Sequence, residues 1–148
     1  MKKNSNLIYL ADDDLDDTML FKEALNEVSS VTKIQSYPSG SSMIDHLNST
    51  DVKPDIIFLD LNMPGKSGLE CLRDIRSNPK FSKIAVAIYS TFNFSDDVDD
   101  AYDSGANLYI KKVNNFSGIK KIVKVLLSMN WPKHNANLSK DNFYLNFS

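Results

Sequence analysis

The chain has 148 residues, of which 42% are hydrophobic and 24% charged, and its formal net charge is −2. This composition is ordinary for one soluble globular domain and argues against wholesale disorder. The weak negative charge excludes a strong basic field for holding nucleic acid. The single cysteine, Cys71, excludes an intrachain disulfide and argues against a cysteine-based zinc site.

The longest wholly apolar run, Ile84–Tyr89, is much shorter than a membrane span, which needs about 20 residues. No apolar stretch of signal-peptide length follows Lys2 and Lys3, so we expect a cytoplasmic protein without nucleic-acid or membrane partners.

Five short apolar runs alternate with stretches of helical periodicity. The predicted strands are, in chain order, Leu7–Ala11, Thr32–Tyr37, Asp55–Asp60, Ile84–Tyr89 and Asn107–Lys111. The predicted helices are Leu15–Val28, a short helix from Gly40 to about Leu47, Leu69–Arg76, a helix with Ser95 as its N-cap that Gly105 closes, and a last helix with the apolar stripe Ile119, Ile122, Val123, Leu126 and Leu127. This alternation predicts an α/β fold in which a doubly wound parallel sheet carries helices on both faces.

Polar side chains stand at the carboxyl ends of four of the predicted strands. They are Asp12 and Asp13 at the end of the first strand, Asp60 at the end of the third, Ser90 and Thr91 at the end of the fourth, and Lys111 and Lys112 at the end of the fifth. Because the carboxyl ends of parallel strands meet at one edge of a sheet, we expect these groups to share a pocket. Two carboxylates ~4 Å apart repel by about 4 kcal/mol at an effective dielectric near 20, so either one is protonated or a cation lies among them. Carboxylates without histidine or cysteine favour Mg²⁺.

Such a pocket suits phosphoryl transfer to a carboxylate. Asp60 is the natural nucleophile, because it follows the most apolar strand and precedes a Pro-Gly loop whose backbone can approach a phosphoryl group. Asp12 and Asp13 are better placed to hold a metal ion, one directly and the other through water. The ammonium of Lys112 can neutralise phosphoryl oxygens, and the hydroxyl of Ser90 can hydrogen-bond one of them.

The same residues resemble the receiver domain of bacterial two-component response regulators over residues 6–129. The matching pieces are Leu10–Asp14, Asp55–Gly65, Tyr89–Thr91 and Gly105–Lys112, in the same order and at the same strand ends. The resemblance implies a five-stranded sheet in the flavodoxin-like order 2-1-3-4-5.

The resemblance also implies a role for each site residue. Asp60 would be the phosphoacceptor and Asp13 the direct Mg²⁺ ligand, with Asp12 acting through water; Asp60 itself and the backbone carbonyl of Asn62 would complete the protein ligands. Ser90 and Lys112 would take the hydroxyl and lysine positions. Tyr109 would be the switch aromatic, whose ring turns inward when Ser90 moves toward the phosphoryl group.

Three further positions modify this expectation. The family usually has a proline, joined by a cis peptide, where Val113 follows Lys112, and a cis bond before valine costs about 2.5–4 kcal/mol. We therefore expect either a trans bond with a shifted loop or a strained cis bond. Asn62 and Phe92 occupy the positions that tune the lifetime of the aspartyl phosphate, and a bulky Phe92 predicts slow self-dephosphorylation.

The function implied is that of a signalling phosphoacceptor which catalyses only its own phosphorylation and dephosphorylation. A sensor histidine kinase or a histidine phosphotransfer protein would donate the phosphoryl group, and the switched protein would dock on a downstream partner that the sequence does not identify. An alternative is a pseudo-receiver, a non-cycling interaction module, for which Val113 is the supporting feature. A phosphatase of the haloacid dehalogenase type would need an acid where Asn62 stands, and a nucleotide or flavin site would need a glycine-rich loop where the acidic Asp12–Asp14 stretch stands.

Two regions outside the pocket complete the prediction. Acids on the fourth helix and lysines on the fifth are either solvated faces or a self-complementary docking surface, through which a homodimer would use helix 4, strand 5 and helix 5; these residues are Asp96, Asp97, Asp99, Asp100, Asp103, Lys120, Lys121 and Lys124. The predicted receiver domain covers residues 1–130. Residues 131–148 form a C-terminal extension with no separate output domain, which packs either on its own domain or on a neighbour.

Overall fold

The computed structural model describes residues 7–91 and 94–147. Its strands are β1 (Leu7–Ala11), β2 (Lys33–Tyr37), β3 (Ile56–Leu59), β4 (Ala85–Ser90), β5 (Leu108–Lys111) and β6 (Tyr144–Leu145). Its helices are α1 (Leu15–Val28), α2 (Gly40–Ser49), α3 (Gly68–Ser77), α4 (Ser95–Asp103), α5 (Phe116–Ser128) and α6 (Trp131–Ala136), and a 3₁₀ turn spans Lys140–Asn142. No helix in the described part of the chain combines the length and the apolar character that crossing a bilayer requires.

All six strands form one parallel sheet in the order β2-β1-β3-β4-β5-β6. The predicted doubly wound sheet and its five-strand order are confirmed. The sixth strand was not expected; it pairs with the outer edge of β5, with Tyr109 opposite Tyr144 and Ile110 opposite Leu145. Because the strand order reverses between β1 and β3, the cleft beyond their carboxyl ends is where such a fold binds ligands.

The sheet separates two apolar layers. On one face, α1 and α5 cover a core in which the ring of Phe21 packs edge-on against Phe58 and Tyr89, at centroid distances of 5.1 and 5.8 Å. On the other face, α2, α3 and α4 cover a core that includes Met43, Leu72 and Ala101. β3 is buried at every residue, as its unbroken apolar run predicts.

Local capping explains where the helices next to the sheet edge begin. The side chain of Asp14 accepts a hydrogen bond from the backbone N–H of Asp17 and caps α1, and Ser67 and Glu70 form a capping box at α3. The prediction that Ser95 caps α4 was wrong by one residue. The carbonyl of Phe94 already accepts the N–H of Val98, so Phe94 is the cap and makes no side-chain capping bond.

Residues 131–147, here called the C-terminal segment, return to the sheet and pack on their own domain. Phe143 is 1% exposed and joins the layer of α2, α3 and α4, whereas Trp131, Leu145 and Phe147 pack against the layer of α1 and α5. The segment therefore closes both apolar layers along the edge of β5.

Candidate functional site

Strand register brings two of the predicted acids side by side. Ala11, the last residue of β1, lies opposite Leu59, the last residue of β3, so Asp12 and Asp60 leave the sheet together. The backbone N–H of Asp60 donates to the carbonyl of Ala11 at 2.9 Å, which continues the ladder one residue beyond the strands. Asp12 and Asp60 are 2% and 8% exposed, so both carboxyls are held in a nearly closed setting.

Asp13 completes a cluster of three acids. One carboxylate oxygen from each of Asp12, Asp13 and Asp60 lies within 4.8 Å of the others. Asp13 is exposed, so the cluster opens to solvent on its side. The oxygen-only donor set and the crowding of negative charge fit a hard divalent cation.

The side chain of Lys112 enters this pocket from β5. Its Nζ lies 2.7 Å from Asp12 Oδ2, 3.0 Å from Asp17 Oδ2 and 3.5 Å from Asp60 Oδ2. Every peptide bond in the described part of the chain is trans, the Lys112–Val113 bond included, and the lysine still reaches the acids. Burial alone would lower the pKa of Lys112, but the bond to Asp12 and the charge of Asp60 raise it above its ordinary value. The lysine is therefore fully protonated at neutral pH.

The pKa of Asp60 is raised from 3.8 to about 6. Burial is the largest cause, the charge of Lys112 opposes it, and the neighbouring Asp12 adds to the increase. The backbone N–H of Asn62 donates to Asp60 Oδ1 at 3.4 Å and lowers the pKa slightly. At neutral pH Asp60 is mostly ionised, yet its charge is poorly compensated, which suits a nucleophile that must attack another anion.

Ser90 and Tyr109 connect the pocket to the interior of the sheet. Ser90 is the last residue of β4 and has no exposed surface, and its carbonyl accepts the N–H of Lys112 at 2.7 Å. Ile88 of β4 pairs with Tyr109 of β5, and Ser90 follows Ile88 by two residues, so the side chains of Ser90 and Tyr109 stand on the same face of the sheet. Burial raises the pKa of Tyr109 to about 12, and the neighbouring Ser90 hydroxyl opposes the increase. The ring of Tyr109 is thus turned inward, toward the residue that borders the site.

The remaining predicted site residues lie away from the acid cluster or outside the described residues. Asn62 is exposed in the loop after β3, and Thr91 is exposed beside Ser90. Lys111 points to the carbonyl of Thr91, at 3.3 Å, and not to the acids. Phe92, the predicted lifetime-tuning residue, lies outside the described residues.

Asp17 is a pocket residue that the predicted site did not include. Side chains of a helix tilt toward its N-terminus, so an acid in the first turn of α1 points back to the strand ends. Its ion pair with Lys112 follows from that tilt. The sequence shows Asp17 as an acid one helical turn after Asp13. Only the position of Lys112 in the structure distinguishes Asp17 from its exposed neighbour Asp16.

Together these groups can bind an anion beside a carboxylate that attacks it. One lysine cannot balance the four neighbouring carboxylates, so the pocket keeps an excess of negative charge that a divalent cation would offset. With that excess offset, an incoming phosphoryl group would meet the Asp60 carboxylate, the Lys112 ammonium and the Ser90 hydroxyl.

Comparison with known proteins identifies the family that this chain resembles. The family model described as "Response regulator receiver domain" matches residues 8–124. The chain is similar to the response regulator Rcp1 of Synechocystis sp., with 38% identity over 72 residues that cover 49% of this chain and 49% of Rcp1. The chain spans about half or less of the length of the first curated relatives it matches.

Solved structures of similar proteins share the fold. The phosphorylated cyanobacterial phytochrome response regulator RcpA superposes with a TM-score of 0.77 at 33% identity, over 82% of this chain and 91% of that one. The Mn²⁺-bound form of Rcp1 superposes with a TM-score of 0.75 at 29% identity, over 84% of this chain and 93% of that one.

Proposed function

The chain belongs to the response regulator receiver domain family, and from this premise we propose that it is the phosphoacceptor of a two-component phosphorelay. The donor would be a phosphohistidine on a sensor histidine kinase or on a histidine phosphotransfer protein, and Asp60 would accept the phosphoryl group. One observation carries the proposal. Asp12, Asp13 and Asp60 lie together with the ammonium of Lys112 in one pocket at the carboxyl ends of the strands.

The proposed transfer is a direct displacement at phosphorus. A carboxylate oxygen of Asp60 attacks in line, an O–P bond forms and the N–P bond of the phosphohistidine breaks. The donor imidazole keeps the electron pair and takes up a proton. Lys112, already within 3.5 Å of Asp60, would neutralise charge on the phosphoryl oxygens, and the Ser90 hydroxyl would donate to one of them once the bond has formed.

Metal binding in this proposal uses the acid cluster. Asp13 would be a direct ligand, Asp12 would act through water, and Asp60 with the carbonyl of Asn62 would complete the protein ligands. A divalent cation, for which we propose Mg²⁺, supplies positive charge against the phosphoryl oxygens when bound. The chain is proposed to act on itself alone and not as an enzyme on a separate substrate.

The geometry around Val113 favours a cycling receiver over a pseudo-receiver. The pseudo-receiver alternative depended on the missing proline after Lys112. The side chain of Lys112 is 7% exposed and touches three carboxylates although the following bond is trans. Loss of the proline has therefore not removed the lysine from the pocket.

Docking through α4, β5 and α5 stays a prediction. The edge of β5 is paired with β6, so a second copy would meet the surfaces of α4 and α5 and not an open strand. Lys120 lies 3.2 Å from Glu27 of the same chain and is therefore less available for a partner. Cytoplasmic localisation also stays a prediction, and it agrees with the proposed donors.

Labelling with acetyl phosphate tests the proposed function. We expect Mg²⁺-dependent incorporation of one phosphoryl group, mapped to Asp60 by peptide mass spectrometry, and none in Asp60→Asn. Asp13→Asn should greatly weaken the Mg²⁺ dependence, whereas Asp16→Asn, an exposed acid outside the cluster, should behave as the parent chain. Equal labelling of the parent chain and Asp60→Asn would refute the proposal.

A further inference from the structure

The C-terminal segment covers the outward side of Tyr109. The ring of Phe143 lies 6.5 Å from that of Tyr109 and packs edge-on against Tyr102 of α4 at 5.2 Å. The ring of Tyr144 lies 5.9 Å from Tyr109. The backbone N–H of Tyr109 donates to the carbonyl of Phe143 at 3.0 Å. Tyr109 has no exposed surface in this arrangement.

A second group of contacts fixes the segment to the start of β5. The side-chain amide of Asn107 donates to Asn135 Oδ1 at 2.7 Å, and a ring nitrogen of His134 lies 2.8 Å from the carbonyl of Asn107. Asn107 is itself held by Arg76 and by the N–H of Val86. The segment is therefore anchored independently of Tyr109, and Phe143 can leave Tyr109 without releasing α6.

Tyr109 touches both the segment and the pocket. On its inner side it shares a face of the sheet with Ser90 of the neighbouring strand β4, whose carbonyl accepts the N–H of Lys112. On its outer side lie Phe143 and Tyr144. Among the described residues, the rings of Phe143 and Tyr144 occupy the outer side of Tyr109, so the docked segment favours the orientation in which the Tyr109 ring faces Ser90.

We propose that docking of residues 143–145 onto β5 and phosphorylation of Asp60 stabilise each other, with the inward ring of Tyr109 as the shared element. The inference rests on the proposed function, because it takes Ser90 to bind the phosphoryl group on Asp60. A phosphoryl group that draws Ser90 toward the pocket favours an inward Tyr109, and the docked segment favours the same orientation. Two events that select one conformation are positively coupled, and the coupling is reciprocal.

The first measurement is the affinity of the chain for beryllofluoride in the presence of Mg²⁺, as a mimic of the phosphoryl group. Phe143→Ala removes the ring that fills the outer space, and we expect it to weaken the affinity by at least about 5-fold, the lower range of measured couplings. Phe143→Leu, which keeps most of the packing, should have a smaller effect in the same direction. Phe81→Leu is the matched control for Phe143→Leu, because Phe81 lies elsewhere in the same apolar layer, and it should leave the affinity unchanged.

The second measurement is hydrogen exchange of the amides of residues 143–145. Reciprocity requires beryllofluoride to slow their exchange in the parent chain, because a ligand favoured by docking must in turn favour docking. Equal beryllofluoride affinity in the parent chain, Phe143→Ala and Phe143→Leu would overturn the coupling and leave the proposed function intact. A parent chain that binds no beryllofluoride with Mg²⁺ would overturn both. An effect of Phe143 that depends on protein concentration would show that a second copy supplies the segment, and would overturn the intramolecular form proposed here.

Discussion

At the scale of single residues, the charge of Lys112 is divided among three carboxylates. Its Nζ lies closer to Asp12 and Asp17 than to Asp60. The compensation that Asp60 receives is therefore partial, and burial prevails in setting its pKa. Lys112 is also the strongest group acting to lower that pKa.

Lys112→Met is therefore expected to raise the pKa of Asp60 further above about 6. The pKa can be followed by NMR titration of the Asp60 carboxyl carbon in the metal-free protein. Lys111→Met is the matched control, because the Lys111 ammonium bonds the carbonyl of Thr91 and none of the acids. The same rise in both variants would mean that general surface charge, and not the ion pair with Lys112, sets the pKa of Asp60.

The residues of the pocket could be predicted from the sequence where each stands at the carboxyl end of a strand. Asp12, Asp60 and Ser90 are of this kind, because the carboxyl ends of parallel strands lie at the same end of the sheet, whatever the conformation of the loops. Asp17 could not be assigned, since its contact depends on how Lys112 lies across the sheet. The state of the Lys112–Val113 bond could not be fixed either, because the sequence left both isomers open.

At the scale of elements, the start of α3 packs directly on the backbone of the proposed phosphoacceptor. A Cβ atom on Gly68 would lie 2.4 Å from the carbonyl oxygen of Asp60 and 2.9 Å from the Cα of Leu61. The N–H of Gly68 also donates to the carbonyl of Leu61 at 3.0 Å. Gly65 in the same loop is different, because its φ of +76° lies in the left-handed region while a Cβ there would meet nothing within 4 Å.

Alanine at these two glycines should therefore have different effects. We expect Gly68→Ala to lower the free energy of unfolding by about 1–3 kcal/mol through overpacking and to displace Asp60, which reduces its labelling. Gly65→Ala should cost about 1–2 kcal/mol through backbone strain alone. Urea denaturation gives the stabilities, and the NMR shift of the Asp60 amide reports the displacement. A larger shift in Gly65→Ala than in Gly68→Ala would contradict the packing argument.

Element prediction from the sequence succeeded for long periodic segments and failed for short ones. The bounds of α1 were predicted to the residue because its apolar stripe spans several turns. β6 has only two residues, too few for any alternation to be recognised. Ser95 has a hydroxyl group that could cap a helix, yet the carbonyl of the preceding residue, Phe94, already accepts a helical hydrogen bond.

At the scale of the whole molecule, the raised pKa of Asp60 makes stability depend on pH. A carboxyl whose pKa is higher in the folded chain than in the unfolded chain favours folding while it is protonated. In the metal-free protein this contribution is fully present below about pH 4 and is lost as the pH rises through about 6.

Asp60→Asn should therefore stabilise the metal-free protein at neutral pH. Each pKa unit corresponds to about 1.4 kcal/mol, so we expect a gain of up to about 3 kcal/mol near pH 7.5 and little change near pH 4. Urea unfolding in the presence of a chelator measures both. Asp16→Asn, which changes an exposed acid outside the cluster, should show a small effect at either pH. A gain that is equal at both pH values would indicate better packing of the amide and not relief of a buried charge.

The direction of β6 has a practical consequence for labelling this molecule. β6 runs parallel to β5, with Leu145 beside Ile110, so the backbone after Leu145 heads toward the sheet edge that holds Asp60. A fluorophore or affinity handle attached at Phe147 would therefore lie toward the end of the sheet that carries the acidic pocket. A label attached at Leu7, where β1 begins, would lie at the opposite end of the sheet and is the safer choice for binding assays.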